Sequence, residues 1–122
     1  MCRWESGTID RTMEQVTNNL RVAGSVEGET ARLSVTGDVD LATAQIVRTA
    51  VCEALDAGAR QIELDLAGVG FLDSTGLSVL LHAARDVDRR RARLRTRAPS
   101  GSEARVVMDL ARVSDILHLQ PA

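Results

Sequence analysis

The sequence predicts a single α/β domain, with a mixed central β-sheet of four to five strands and helices packed against it. Apolar and polar residues alternate in short runs such as Ile62-Glu63-Leu64-Asp65-Leu66, the period of a strand with one buried face. Elsewhere apolar residues recur three or four apart, as at Leu77, Leu80, Leu81, Ala84 and Val87, the period of a helix with one buried face. The two patterns alternate along 122 residues, a length that suits one domain.

Residues 1–17 are polar and follow neither period, so they are expected to be an N-terminal tail or a loosely docked extension, with the domain proper at 18–122. Trp4 is the exception in that stretch, and a lone tail Trp is more often an incidental contact than an anchor. A first strand is expected near 20–23, from Leu20 and Val22, followed by a turn in the Gly- and Glu-rich segment 24–29. A second strand follows over about 31–37, carrying Leu33 and Val35. Asp40 stands at the N-cap of a helix whose predicted buried face is Leu41, Ala44, Val47, Val51 and Leu55, and Gly58 marks its end near Ala57. A strand at 61–66 then returns to the sheet. Strand, helix and strand in that order favour parallel pairing, which brings the C-terminal ends of the strands to one edge. Asp38, Asp40, Asp73 and Ser74 would gather there.

The second helix leads into the most charged part of the chain, where seven Arg between Arg85 and Arg97 face two Asp. Ala92, Leu94 and Thr96 alternate with Arg91, Arg93, Arg95 and Arg97, which is the pattern of an exposed or edge strand at 92–97. No aromatic residue is interleaved, so a solvated edge is the better reading than a nucleic-acid groove, with a docking face for an acidic protein between the two. Ser100 and Glu103 are spaced as a capping box for a third helix with Val106, Val107, Leu110 and Val113 on its buried face. Ile116, Leu117 and Leu119 would form a short edge strand at 116–119.

The chain is organised around Phe71-Leu72-Asp73-Ser74-Thr75-Gly76-Leu77-Ser78, where an apolar run meets a polar cluster and a helix begins. Any of Asp73, Ser74 and Thr75 can accept a hydrogen bond from a first-turn N–H, and a cap is the plain reading of such a cluster. The unpaired N–H groups and the helix dipole also suit a helix start to an anion, so a phosphate added there would be tolerated without refolding. This segment resembles the signature of the STAS family, the anti-sigma factor antagonists, in which D-S-[ST]-G-L follows a buried strand and opens a helix. Upstream, Leu33-Ser34-Val35-Thr36-Gly37-Asp38-Val39-Asp40 is similar to the family strand that ends in G-[ED]-[LIV]-D. The resemblance covers roughly residues 18–119, and its two motifs are specific together and weak apart.

The resemblance implies a regulatory module that binds an anti-sigma factor of the protein-kinase type and thereby regulates sigma-factor-dependent transcription. By motif position it implies Ser74 as the phosphorylated residue, with Thr75 the alternative hydroxyl. It places the partner-binding residues at Asp38, Asp40, Asp73, Ser74, Thr75, Gly76 and Ser78. The implied partners are an anti-sigma factor serine kinase and a serine phosphatase. A STAS-type sensor or scaffold that binds a small molecule or a larger assembly without phosphorylation is the alternative. The chain departs from the family at Ser78, where Gly is more usual and the added hydroxyl would crowd a partner. It also lacks the further helix that family members usually carry after the last strand.

Composition narrows the rest. With 44% apolar, 26% charged and only 2% aromatic residues, the core must be aliphatic. All fifteen basic residues are Arg, and a net charge of −2 argues against a dedicated nucleic-acid binder. Cys2 and Cys52 form neither a disulfide framework nor a metal spacing, which favours a reducing compartment. No run approaches the roughly 18 apolar residues of a membrane span, and no signal-peptide core is present, so a cytoplasmic protein is expected. His82 and His118 have no ligand spacing, Ser74 lacks a G-x-S-x-G elbow and an identifiable base, and no nucleotide-cradling glycine loop occurs. No enzyme activity, metal or cofactor is expected.

Overall fold

The computed structural model describes residues 5–6, 11–17 and 19–119. Among these the chain runs β1 (Glu5–Ser6), β2 (Arg11–Val16), β3 (Leu20–Glu27), β4 (Thr30–Val39), α1 (Leu41–Asp56), β5 (Gln61–Leu72), α2 (Ser74–Arg89), β6 (Arg93–Arg97), α3 (Glu103–Ala111) and α4 (Ser114–Leu117). The strands form one mixed sheet of six among the described residues, in sequence order from β1 to β6. β1 to β4 pair antiparallel, whereas β4–β5 and β5–β6 pair parallel, each across a helix.

Cross-strand neighbours explain why the sheet has one dry face. Val22 lies opposite Val35 and Val26 opposite Ala31, while Leu33 aligns with Leu64 and Ile62 with Leu94. All eight are buried. Helices α1 and α2 cover this face with Ala44, Val47, Val51, Leu77, Leu80 and Val87, so the core is aliphatic, as composition requires. Alternate residues point the other way. There Arg32, Glu63 and Arg95 form one row and Ser34, Asp65 and Arg97 the next, with Arg32–Glu63 and Arg97–Asp65 each at 3.2 Å. Glu63 and Asp65 stay partly exposed in mid-sheet.

Between α1 and α2, Arg48 Nε donates to the buried Asp86 carboxylate at 2.7 Å and Arg89 also pairs with it. The Arg48 hydrogen bond holds the Asp86 carboxyl below the usual carboxylate range against the opposing effect of burial.

Several expectations are corrected. The mixed sheet with helices against it is the expected architecture, but residues 11–16, read as part of a tail or loosely docked extension, form β2 along β3, and with β1 the described strands number six rather than four to five. Segment 24–29 does turn the chain into a hairpin, at Gly28-Glu29, but the strand expected at 20–23 runs on to Glu27, because Val26 still reaches the core. The third helix is capped by Ser102 rather than Ser100, because Pro99 to Ser102 is first closed as a turn by Ser102 N–H donating to the Pro99 carbonyl at 3.0 Å. Its buried residues are Ala104 and Met108, whereas Val106 and Leu110 are exposed. Leu41, expected on the buried face of α1, is also exposed. The strand expected at 116–119 is the one-turn helix α4 followed by a single bridge from Leu119 to Thr96; Leu117 is buried within that helical turn.

Candidate functional site

At the C-terminal ends of β4 and β5 the chain enters α1 and α2 side by side. Val39 aligns with Leu72 and Asp38 with Phe71 in the parallel register, and Asp73 N–H donates to the Val39 carbonyl at 3.3 Å. The edge therefore brings together Asp38, Asp40, Asp73 and Ser74, the residues expected to gather there, with Thr75 and Gly76 beside them. Ser78 is exposed one helical turn beyond Ser74, on the same side of α2.

Each helix begins with an Asp N-cap. Asp40 Oδ1 accepts from the Thr43 amide at 3.0 Å, and Thr43 Oγ1 accepts from the Asp40 amide at 2.8 Å, which closes a capping box. Asp73 Oδ1 accepts from the Gly76 amide at 2.7 Å and from the Thr75 hydroxyl at 2.7 Å. Of the three residues able to cap α2, Asp73 does so and Thr75 steadies it. Ser74 is the first helical residue. It is exposed, and among the described residues no hydrogen bond involves its hydroxyl.

Two glycines let the backbone take this form. A Cβ on Gly76 would lie 2.5 Å from the Val39 carbonyl oxygen, so only glycine lets the first turn of α2 press against the end of β4. Gly37 has φ +111°, and a Cβ there would lie 2.2 Å from the Asn19 carbonyl oxygen, the acceptor of the Asp38 amide at 2.7 Å. Gly37 thus lets Asp38 be held by its backbone while its side chain stays exposed.

The electrostatics of the edge are acidic. The Gly76 amide, with help from the Thr75 hydroxyl, holds the Asp73 carboxyl below the usual carboxylate range, so it is ionised at neutral pH. Asp38 and Asp40 add two more carboxylates. Such a site can present a serine hydroxyl to an external phosphoryl donor, since the helix start tolerates the resulting dianion while the flanking carboxylates make the surface more negative.

Sequence reasoning gave no site role to Phe71 or to Leu41, which it placed on a buried helix face; they flank these carboxylates and are 47% and 56% exposed. Their signal was present: Phe71 is the chain's single Phe and ends a run with two glycines, a poor context for a core aromatic. Other groups stand apart from the edge. Burial pushes the Cys52 thiol up, so it stays neutral beside Asp86. His82 and His118 are exposed, and among the described residues no group of three or more His, Cys, Asp or Glu is arranged to hold a metal. No helix among them is long and apolar enough to cross a membrane.

The family model described as "Mlab, STAS domain" matches residues 15–121. No curated protein sequence matches the chain. Among solved structures, the chain is similar to an anti-sigma factor antagonist from Mycobacterium paratuberculosis, with 19% identity, a TM-score of 0.72, and coverage of 88% of this chain and 91% of that one. It is similar to the anti-sigma factor antagonist SpoIIAA in its unphosphorylated form, at 17% identity and a TM-score of 0.63 over 91% of this chain and 87% of that one. The phosphorylated form of the Bacillus cell fate determinant SpoIIAA gives 17% identity and a TM-score of 0.58 over 91% and 90%. At these identities the likeness is one of fold, and it agrees with the mixed sheet and its helices. With a family match that spans nearly all of its length, the chain belongs to the STAS-domain family.

Proposed function

We propose that this protein is an anti-sigma factor antagonist that binds an anti-sigma factor of the protein-kinase type and is switched off by phosphorylation at Ser74. The observation that carries this reading is the division of labour at the start of α2. Asp73 takes the cap and Thr75 is bonded to it, which leaves the Ser74 hydroxyl exposed and without a structural task among the described residues. Ser74 is therefore the better acceptor than Thr75. The kinase transfers the γ-phosphoryl group of ATP to Ser74 Oγ; ADP leaves, and the hydroxyl proton goes to a base of the kinase. The protein itself catalyses nothing.

Partner binding uses the edge formed by Asp38, Asp40, Asp73, Ser74, Thr75, Gly76 and Ser78. Phosphate adds about −1.5 to −2 charge there, which weakens binding by repulsion and bulk while the helix start accommodates it. A serine phosphatase reverses the step, and the cycle regulates sigma-factor-dependent transcription in the cytoplasm. That SpoIIAA is described in both unphosphorylated and phosphorylated forms supports a phosphorylation switch on this fold.

The test is incubation with ATP and the kinase-type anti-sigma factors of the same genome, followed by mass spectrometry. One phosphate on Ser74 is expected. Ser74→Ala should take up none and stay bound to the partner, and Ser74→Asp should bind more weakly than the unmodified protein. Uptake by Ser74→Ala at the wild-type rate would exclude Ser74 as the acceptor. A lasting complex with no phosphate transfer would favour a scaffold that works without phosphorylation.

A further inference from the structure

We infer that Phe71 is the apolar anchor of the partner contact, with Leu41 as a smaller second contact, so that the partner's face is an apolar pocket rimmed by Arg or Lys. This rests on the reading of the Ser74 edge as partner-binding. The core of the described residues is built from aliphatic side chains, yet the chain's one Phe is left 47% exposed at the end of β5. Its cross-strand neighbour is Asp38, and both side chains are exposed. Two residues further along the chain comes Asp73, and Ser74 follows it. Leu41 holds on α1 the place that Ser74 holds on α2, the residue directly after the Asp cap, and is 56% exposed.

An aromatic side chain set among carboxylates has the form of a binding hot spot, in which a desolvated centre supplies affinity and a charged rim supplies orientation and rate. The rim here is acidic, from Asp38, Asp40 and Asp73, and calls for a basic counterpart. The apolar centre gives phosphorylation a second lever. A hydrated dianion on Ser74, three residues from Phe71, must be stripped of water for the aromatic contact to re-form, so one phosphate opposes binding through desolvation as well as repulsion.

The test uses the full chain and the kinase-type anti-sigma factors of the same genome, with affinities of wild type, Phe71→Ala, Phe71→Leu, Leu41→Ala and Asp38→Asn measured at low and physiological salt. Phe71→Ala should weaken binding by about thirtyfold or more, the scale of a hot spot. Phe71→Leu should recover part of that loss. Leu41→Ala should lose roughly three- to tenfold, and Asp38→Asn should flatten the salt dependence. Melting temperatures should stay close to wild type, which separates lost contact from lost fold. If wild type binds and both Phe71 variants bind within about threefold of it, the inference is overturned while the functional reading stands. If wild type neither binds nor is phosphorylated, the functional reading falls and this inference falls with it.

Discussion

The two strand-to-helix junctions at the sheet edge share one plan, and they differ where it matters. In both, a strand ends in a buried residue, Val39 or Leu72, and an Asp caps the helix that follows. The third helical residue is Thr43 in α1 and Gly76 in α2. Thr43 completes a reciprocal box with Asp40, and its hydroxyl also donates to the Asp38 carbonyl at 2.8 Å, so that junction is saturated with internal bonds. Gly76 contributes only its amide, and its missing side chain lets α2 approach β4. The first helical residue is exposed Leu41 in one and exposed Ser74 in the other. One junction is closed by its own side chains, and the other is capped from below while its serine is left free.

Giving the second junction the first one's residue should have the largest effect. Gly76→Thr places a Cβ 2.5 Å from the Val39 carbonyl oxygen, and should destabilise by about 3 kcal/mol, the upper range for overpacking a fixed backbone contact. Denaturant unfolding measures this, and a loss below about 1 kcal/mol would mean that the close approach is relaxed at little cost.

The reverse removal is milder. Thr43→Ala opens the capping box and should cost about 1–2 kcal/mol, the range of a lost cap with its side-chain bonds. A silent Thr43→Ala would show that the two junctions are equally open. The third prediction concerns pH. The folded-state pKa of Asp73 lies below its unfolded value, so the stability it contributes is present above about pH 4 and is lost as pH falls below that. Asp73→Asn removes that component, so its melting temperature should decline less steeply than wild type on the acid limb. Asp86, whose carboxyl Arg48 also holds low, is common to both proteins, and the difference between the two pH profiles isolates Asp73. Identical acid limbs would show that the cap does not depend on charge.

Ser74→Ala should have the smallest effect on stability, within about 0.5 kcal/mol, the range of a surface change that breaks no bond. A loss of about 1 kcal/mol or more would mean that Ser74 shares the capping duty and that the contrast between the junctions is weaker than the geometry indicates.

Much of this was legible from pattern alone, because burial periods and cap residues are local properties. The central strand at Ile62–Leu66, the helical faces of α1 and α2, the end of α1 before Gly58, the Arg-rich edge strand and the cap at Asp40 all follow from side-chain period and helix-end chemistry. So does the juncture at Asp73–Thr75, together with the resemblance its motif carries. Tertiary structure alone decided which of three candidates caps α2, because Asp, Ser and Thr are near-equivalent caps until the backbone amide of Gly76 is placed. It decided that Phe71 and Leu41 face outward, since an apolar residue at the end of an element belongs to the core pattern or departs from it according to what packs above it. It drew residues 11–16 into the sheet, where ladder hydrogen bonds to β3 replace the missing hydrophobic alternation. It also turned 114–117 into helix, because a four-residue segment has too short a period to choose its own form and takes the one that buries Leu117.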